Sequence, residues 1–441
     1  MKKYDSYKDS GVQWIGEVPS HWEVKRIKTL SPVRRGASPR PIDNPIYFDE
    51  NGEYSWVRIA DVTASEMYLI ETTQKLSKLG SSLSVKQYPG DLFVSIAGTV
   101  GKPIITNIKC CIHDGFVYFT NLHFNRELLY YIFKSGRPYL GLGKMGTQLN
   151  LNTETIGNIR VPVPPEDEQQ AIADFLDAET SKVDGLIEKQ EKQIELLEEM
   201  KTAIISQAVT KGLNTNVPMK ESGIEWIGEI PEDWEVTKLN FACHTITDFV
   251  ASGSFADLRN NVEYLDDPDY AMLVRTADLS GKSAVQNHVY ISKDSYNFLH
   301  NSNLYGGEII LPNIGASIGD VYEIPYDLYD KMSLGPNAIM LKSNTHNKFL
   351  YYYFSSKGGR ESLELMGIAA AQGKFNKTDL RQLRVLIPPI DVQEGIIDYL
   401  DKESSKIDMR IARHKRQIEL LNEYKSTLIS DVVTGKIKVY D

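Results

Sequence analysis

Two tryptophans recur in fixed company. Ser10-Gly11-Val12-Gln13-Trp14-Ile15-Gly16-Glu17-Val18-Pro19-Ser20-His21-Trp22-Glu23-Val24 returns as Ser222-Gly223-Ile224-Glu225-Trp226-Ile227-Gly228-Glu229-Ile230-Pro231-Glu232-Asp233-Trp234-Glu235-Val236, displaced by 212 positions from Ser10 to Ser222. A second block opens at Arg160-Val161-Pro162-Val163-Pro164-Pro165 and returns at Arg384-Val385-Leu386-Ile387-Pro388-Pro389, displaced by 224. It runs without a gap through Leu176-Asp177/Leu400-Asp401 and Gln193–Leu197/Gln417–Leu421 to Val209-Thr210/Val433-Thr434. Internal repetition restricts a fold more than any single motif, because each copy must form the same unit. The two displacements differ, so the material between the blocks varies in length. Four segments follow: 1–158, a motif plus a first variable globule; 159–212, a first helical repeat; 213–382, a second motif and globule; and 383–441, a second helical repeat.

The long repeats have helical periodicity. Glu166, Asp167 and Glu168 follow Pro164-Pro165, placing carboxylates where the macrodipole is positive. Apolar residues then recur at Ile172, Leu176, Val183, Ile187, Ile194, Leu197 and Ile204, and at Ile396, Leu400, Ile407, Ile411, Ile418, Leu421 and Leu428. Steps of three, four and seven make a heptad seam, and Gly212 and Gly435 suit C-caps. About 40 residues at ~1.5 Å each give a rod of roughly 60 Å. Such a rod needs a partner for its apolar stripe, and its own copy is the matching one.

The variable regions read as mixed α/β or β-rich globules. Asp91–Ile96 and Glu308–Ile314 resemble buried strands, and helices are expected over Arg126–Ser135 and Asn347–Ser355, with their aromatics in the core. The chain carries a net charge of −10, which argues against coating nucleic acid unaided. Split by segment, residues 25–158 hold 16 basic against 11 acidic side chains, 237–382 hold 13 against 16, and 160–212 hold 6 against 12. A basic first globule beside acidic helices suits local contact with a polyanion, with further phosphate contacts left to a partner. The second globule, at −3, needs a local basic face or such help.

Known catalytic patterns are missing from the sequence. Gly101-Lys102, Gly143-Lys144 and Gly281-Lys282 have no upstream glycine for a Walker loop, and H-E-x-x-H does not occur. Three cysteines without a C-x-x-C pair suggest neither disulfides nor structural zinc. Asn44-Pro45-Ile46-Tyr47 is a near miss to the Asn-Pro-Pro-Tyr loop of adenine amino-methyltransferases and reads as a turn. No signal sequence or run of apolar residues long enough for a bilayer is seen, so a soluble, cytoplasmic protein without cofactor or metal is expected.

What the globules share is polar. Val57-Arg58-Ile59-Ala60-Asp61 matches Val274-Arg275-Thr276-Ala277-Asp278, Ser95–Gly101 matches Asn313–Gly319, and Thr147–Asn152 matches Ala371–Asn376. Side chains of these types in Gly-flanked loops read base edges and grip phosphates. The candidate DNA contacts are therefore Arg34, Arg35, Arg40, Arg58, Ser95, Thr99, Lys102, Thr147, Gln148 and Asn150 in the first globule, and Arg275, Asn313, Ser317, Gln372, Lys374 and Asn376 in the second. Arg58–Asp61 and Arg275–Asp278 are equally well read as internal ion pairs steadying a turn.

The two W-I-G-E-x-P-x-x-W motifs, two unlike globules and two Pro-Pro-x-x-x-Gln-x-x-Ile-x-x-x-Leu-Asp repeats resemble, over essentially the whole chain, the DNA-specificity subunit of type I restriction-modification systems. The resemblance implies an α+β protein in which two α/β-type target recognition globules are joined by two long antiparallel helices. Those helices form a coiled coil with a pseudo-twofold internal repeat. It also implies a non-catalytic subunit that reads a bipartite, asymmetric site in double-stranded DNA. Its implied partners are two adenine-N6 methyltransferase subunits and endonuclease/translocase subunits, with no membrane. Two rival readings are a coiled-coil scaffold binding only proteins, and a fused enzyme with its own methyltransferase or nuclease activity.

Overall fold

A computed structural model describes residues 2–142, 151–214, 216–280, 287–369 and 373–440. The chain divides into two compact units, residues 1–191 with 416–441, and residues 192–415. The expected rods are helices Glu166–Lys211 and Ile390–Val433, of 46 and 44 residues. Both end where expected: Gly212 and Gly435 take φ of +74° and +73°, the left-handed conformation a glycine adopts without steric cost just past a helix.

Within each unit the two helices run antiparallel. In the first, Lys425 Nζ reaches both Asp184 oxygens at 2.6 and 2.7 Å. In the second, Lys201 Nζ reaches both Asp408 oxygens at 2.7 and 2.8 Å. These ion pairs are the same pair with the helices exchanged, since Asp184 and Asp408, like Lys201 and Lys425, are 224 positions apart. Ile172, Leu176 and Val183 with Leu428 and Val432 are buried in one unit, and Ile205 and Val209 with Ile396, Leu400 and Ile407 in the other.

Each globule holds two small sheets of the same plan. In the first, one sheet orders Val33–Arg35, Phe116–Phe119, Leu92–Ser95, Pro103–Thr106 and Tyr68–Leu69; the other orders Gln74–Leu76, Tyr54–Val57, Cys110–Ile112 and Val85–Gln87. In the second, Cys243–Asp248, Ala338–Ser343, Ile309–Pro312 and Tyr322–Glu323 form one sheet. Tyr264–Leu265, Tyr290–Ile291, Ala271–Val274, Met332–Leu334 and Asn303–Leu304 form the other. Each second sheet is mixed, with one parallel pair: Tyr54–Val57 beside Cys110–Ile112, and Ala271–Val274 beside Met332–Leu334. Strands Leu92–Ser95 and Ile309–Pro312 are buried at every position, which is why they read as unbroken apolar runs. The aromatic helices Arg126–Lys134 and Asn347–Ser355 turn Tyr130, Tyr131, Phe133, Phe349, Tyr352, Tyr353 and Phe354 into the cores.

The repeated motifs tie each globule to the long helices. Strand Glu23–Arg26 pairs antiparallel with Arg160–Val163, and Glu235–Lys238 pairs likewise with Arg384–Ile387. Trp22 is fully buried and donates through Nε1 to Glu168 at 2.7 Å. A Cβ on Gly435 would lie 2.4 Å from Pro19, and one on Gly212 would lie 3.2 Å from Trp234. Each W-motif thus seats the start of one long helix and the end of the other. Tyr131 Oη donates to Asp177 at 2.5 Å, and Tyr352 Oη donates to Asp401, the residue 224 positions on.

Candidate nucleic-acid interface

In the first globule the basic stretch after strand Val33–Arg35 folds onto one carboxylate. Asp114 accepts from Ser38 Oγ at 2.9 Å and from Arg40 Nη2 at 3.0 Å, while its backbone carbonyl accepts from Arg35 Nε. Partial burial works against ionising Asp114, but Ser38, its own amide and the two guanidinium groups outweigh it and hold the carboxyl below the usual range. Arg40 stays 74% exposed, and Arg34 and Arg35 are exposed too. The stretch is therefore a fixed loop with its cations facing water.

The loop 96–101 lies alongside. Ile96 N–H donates to Gly115 O at 2.8 Å, joining it to the Asp114 turn. On its other side, a Cβ on Gly98 would come within 2.8 Å of Ile59 Cγ2, so the loop rests on helix Ile59–Ala64. The exposed Thr99 hydroxyl sits 2.6 Å from that of Thr63. Arg58, at the N-cap of the same helix, is exposed; its backbone N–H donates to Asp61 at 2.8 Å, and its guanidinium hydrogen-bonds Gln74. Arg35, Arg40, Thr99 and Arg58 are thus linked through neighbouring loops.

Two candidates in this globule, the buried Ser95 and the half-exposed Lys102, have their polar groups engaged within the chain. Ser95 is fully buried and donates to Thr99 O within its own turn. Lys102 Nζ donates to Thr63 O at 2.9 Å and Ser65 O at 2.6 Å, closing the end of helix Ile59–Ala64. Desolvation, then the neighbouring Lys134, lowers its pKa. Thr147, Gln148 and Asn150 lie outside the described residues, as does Gln372.

The second globule repeats the layout with different wiring. Arg275 lies over Asp278 in a two-point contact, Nε–Oδ2 and Nη2–Oδ1 both 3.0 Å, and donates to Asn287 O at 2.7 Å. Of the two matched pairs, then, only this one is the internal ion pair that the sequence allowed. Burial opposes ionisation of the fully covered Asp278, but Arg275, its amide and His288 prevail and hold the carboxyl low. Loop 313–319 carries the half-buried Ser317 and bridges through Ile314 to the exposed Lys374. Asn376 caps helix Lys377–Gln382, accepting from Thr378 N and Asp379 N at 2.7 and 3.0 Å, as Asn152 does for Thr153–Asn158. That cap explains why the asparagine recurs. Asn313 is buried, its Nδ2 donating to Phe375 O at 2.9 Å. The structure therefore gathers Asn313, Ser317, Lys374 and Asn376 around one loop, and Arg275 belongs to a separate turn.

Sequence reasoning missed Asp114, which organises the basic loop from 74 positions beyond Arg40, and the aromatic side chains Phe255 and Tyr264 beside Asn313 and Lys374. Neither has a matched residue in the repeat that would have marked it. Among the described residues no group of three or more His, Cys, Asp or Glu is placed to hold a metal, and no helix is long and apolar enough to cross a membrane.

The layout of two like-folded globules with unlike loops, each stitched to both helices, coincides with a known sequence family. A profile described as type I restriction modification DNA specificity domain matches residues 19–196 and again 231–420. The chain belongs to that family. Among similar specificity subunits, a putative type I restriction enzyme MjaX subunit of Methanocaldococcus jannaschii is 27% identical, with 96% of each chain covered. The MjaVIII specificity subunit of the same organism is 25% identical over 96% of this chain and 94% of that one. A chain from a solved structure concerned with assembly and conformational transition of a type I R-M system superposes with a TM-score of 0.69 at 14% identity. It covers 95% of this specificity subunit and 99% of its own length, a likeness of fold.

Proposed function

We propose that this specificity subunit reads a bipartite, asymmetric site in duplex DNA, the first globule taking one half and the second the other. The long helices set the spacing between them. The observation that carries this is the exchange-related ion pairs Asp184–Lys425 and Asp408–Lys201, which fix one register for two readers whose exposed loops differ. Arg34, Arg35, Arg40, Arg58 and Thr99 contact the first half-site; Arg275, Ser317, Lys374 and Asn376 contact the second. The reaction chemistry belongs to companions, two adenine-N6 methyltransferase subunits and endonuclease/translocase subunits. Support for two equivalent docking sites comes from Leu196 and Leu420, 46% and 47% exposed on the long helices and 224 positions apart, since large apolar side chains left in water at matching places suit a matching pair of partners.

Methylation mapping in cells carrying this chain with its methyltransferase tests the reading. Two unlike half-sites at a fixed distance are expected, with Arg58→Ala relaxing only one and Lys374→Ala only the other. A single contiguous motif would refute the two-reader arrangement, and purified chain with methyltransferase that shifts no DNA would refute DNA reading altogether and favour a protein-only scaffold.

A further inference from the structure

The connection that leaves the edge strand of the first sheet occupies the same place in both globules. In the first it follows Val33–Arg35 and carries the basic loop with Arg40. In the second it follows Cys243–Asp248 and is built as a short helix, Phe255–Asn261. Ser254 and Asp257 fix the start of that helix by a reciprocal cap, and Leu258 and Val262, 5% and 6% exposed, anchor its inner face. The outer face breaks the usual polar pattern. Helical spacing sets Phe255 and Arg259 side by side there, and Phe255 is left 78% open to solvent. Cap and inner face hold the helix without this ring, so its exposure points to a partner rather than to folding. Phe255 and Arg259 border a hollow of about 310 Å³ with Tyr264, Asn337 and Lys374. Asp248, on the same wall, is bound to Lys377 at 2.8 Å, and the other charged lining residues, the exposed Arg259 and Lys374, are cations. They supply the local basic face that this otherwise acidic globule needs beside a polyanion.

An exposed ring carried on a helix between cations has few matches on duplex DNA. The major groove is wide enough to admit an α-helix, and the one apolar group on a base edge there is the 5-methyl of thymine. Apolar side chains that pry base steps apart work from the minor groove instead. We infer that helix Phe255–Asn261 enters the major groove of the half-site read by the second globule, with Phe255 packed on the 5-methyl group of a paired thymine. Arg259 and Lys374 grip the flanking phosphates. Phe255 is thereby a specificity-determining residue, and the inference rests on the DNA-reading function proposed above.

The test uses the full chain assembled with its methyltransferase and duplexes built on the mapped site. Uracil, which differs from thymine only by the missing methyl, replaces each thymine of either strand in turn. At one thymine of the second half-site, uracil should weaken wild-type binding about fourfold, the worth of one buried methyl group. Phe255→Ala should bind the thymine and uracil duplexes equally at that position and keep the wild-type response at every other. Phe255→Leu, which retains an apolar contact, should keep the preference for thymine. Arg259→Ala should weaken both duplexes alike, because a phosphate contact carries no base information. Since each comparison changes one side chain of this chain against one methyl group, a thymine contact made by the methyltransferase would persist in Phe255→Ala. Such persistence, or a second half-site in which no uracil weakens wild-type binding, would overturn the assignment of Phe255 alone. Absence of any sequence-specific binding by the wild-type assembly would instead defeat the DNA-reading function beneath it.

Discussion

Shortening both long helices by one heptad gives the sharpest test of the ruler. Removing residues 187–193 and 411–417, which match across the repeat, keeps the heptad phase of the seam. It also keeps both cross-helix ion pairs, because Asp184 stays opposite Lys425 and Lys201 opposite Asp408. Seven residues at ~1.5 Å shorten each helix by about 10.5 Å. At ~3.4 Å per base pair, that equals about three base pairs of duplex. The expected methylation motif therefore has the same two half-sites with a spacer about three base pairs shorter. Three base pairs also turn the second half-site by roughly 100° around a duplex of 10–10.5 pairs per turn, so methylation should be slower at the new site. Sequencing the methylome of cells expressing the shortened chain with its methyltransferase reads both quantities. Methylation at the original spacer would refute the ruler, because the half-sites would then be held apart by something other than helix length.

Four further outcomes follow from the contacts. Asp184→Lys sets like charges against Lys425 and should lower the melting temperature, and adding Lys425→Asp should restore it; both groups are partly exposed, so the effect stays under about 1 kcal/mol. Trp22→Ala should cost about 3–5 kcal/mol in denaturant unfolding of the first unit, because a fully buried ring is lost and Glu168 loses a donor. Asp278 has its carboxyl held below the usual value, so its stabilisation is present above the unfolded pKa of ~3.9 and is lost as pH falls below that. Wild type should accordingly lose more stability than Asp278→Asn between pH 6 and pH 3. Arg40→Ala should reduce the slope of log affinity against log salt by about 0.9 if it removes one phosphate contact, without changing the second half-site.

Much of the architecture was legible because repetition and periodicity are both local in sequence. The long helices, their glycine ends, the buried strands around Leu92–Ser95 and Ile309–Pro312, and the aromatic helices all follow from spacing alone. Side-chain roles were less legible, because identity does not say which way a polar group points. Ser95 and Thr99 stand four positions apart in one turn, yet one is buried and the other exposed. Arg58 and Arg275 occupy matched positions before matched aspartates, but only Arg275 closes on its aspartate, since Gln74 takes the Arg58 guanidinium. Those outcomes depend on residues brought in by the sheet, and no periodicity encodes them.

The distribution of sequence identity between the two halves makes physical sense on the proposed function. Residues that fix register recur: the tryptophans, Gln169 and Gln393, Asp177 and Asp401, and the Asp–Lys pairs across the helices. Gln169 Nε2 donates to Pro164 O at 2.9 Å, and Gln393 Nε2 does the same for Pro388 O at 2.7 Å. A change at such a position alters the geometry that both readers depend on. Loop residues are under no such tie. Asp114 steadies the first globule's basic loop, and Asn313 ties the second globule's loop to the Phe375 carbonyl. Each sheet pair carries its loops on strands anchored elsewhere, so one globule's loops can change while the other's contacts and the helix register stay as they were. On the proposed function, a single chain would thereby acquire a new half-site without disturbing the spacing or the surfaces offered to its companions.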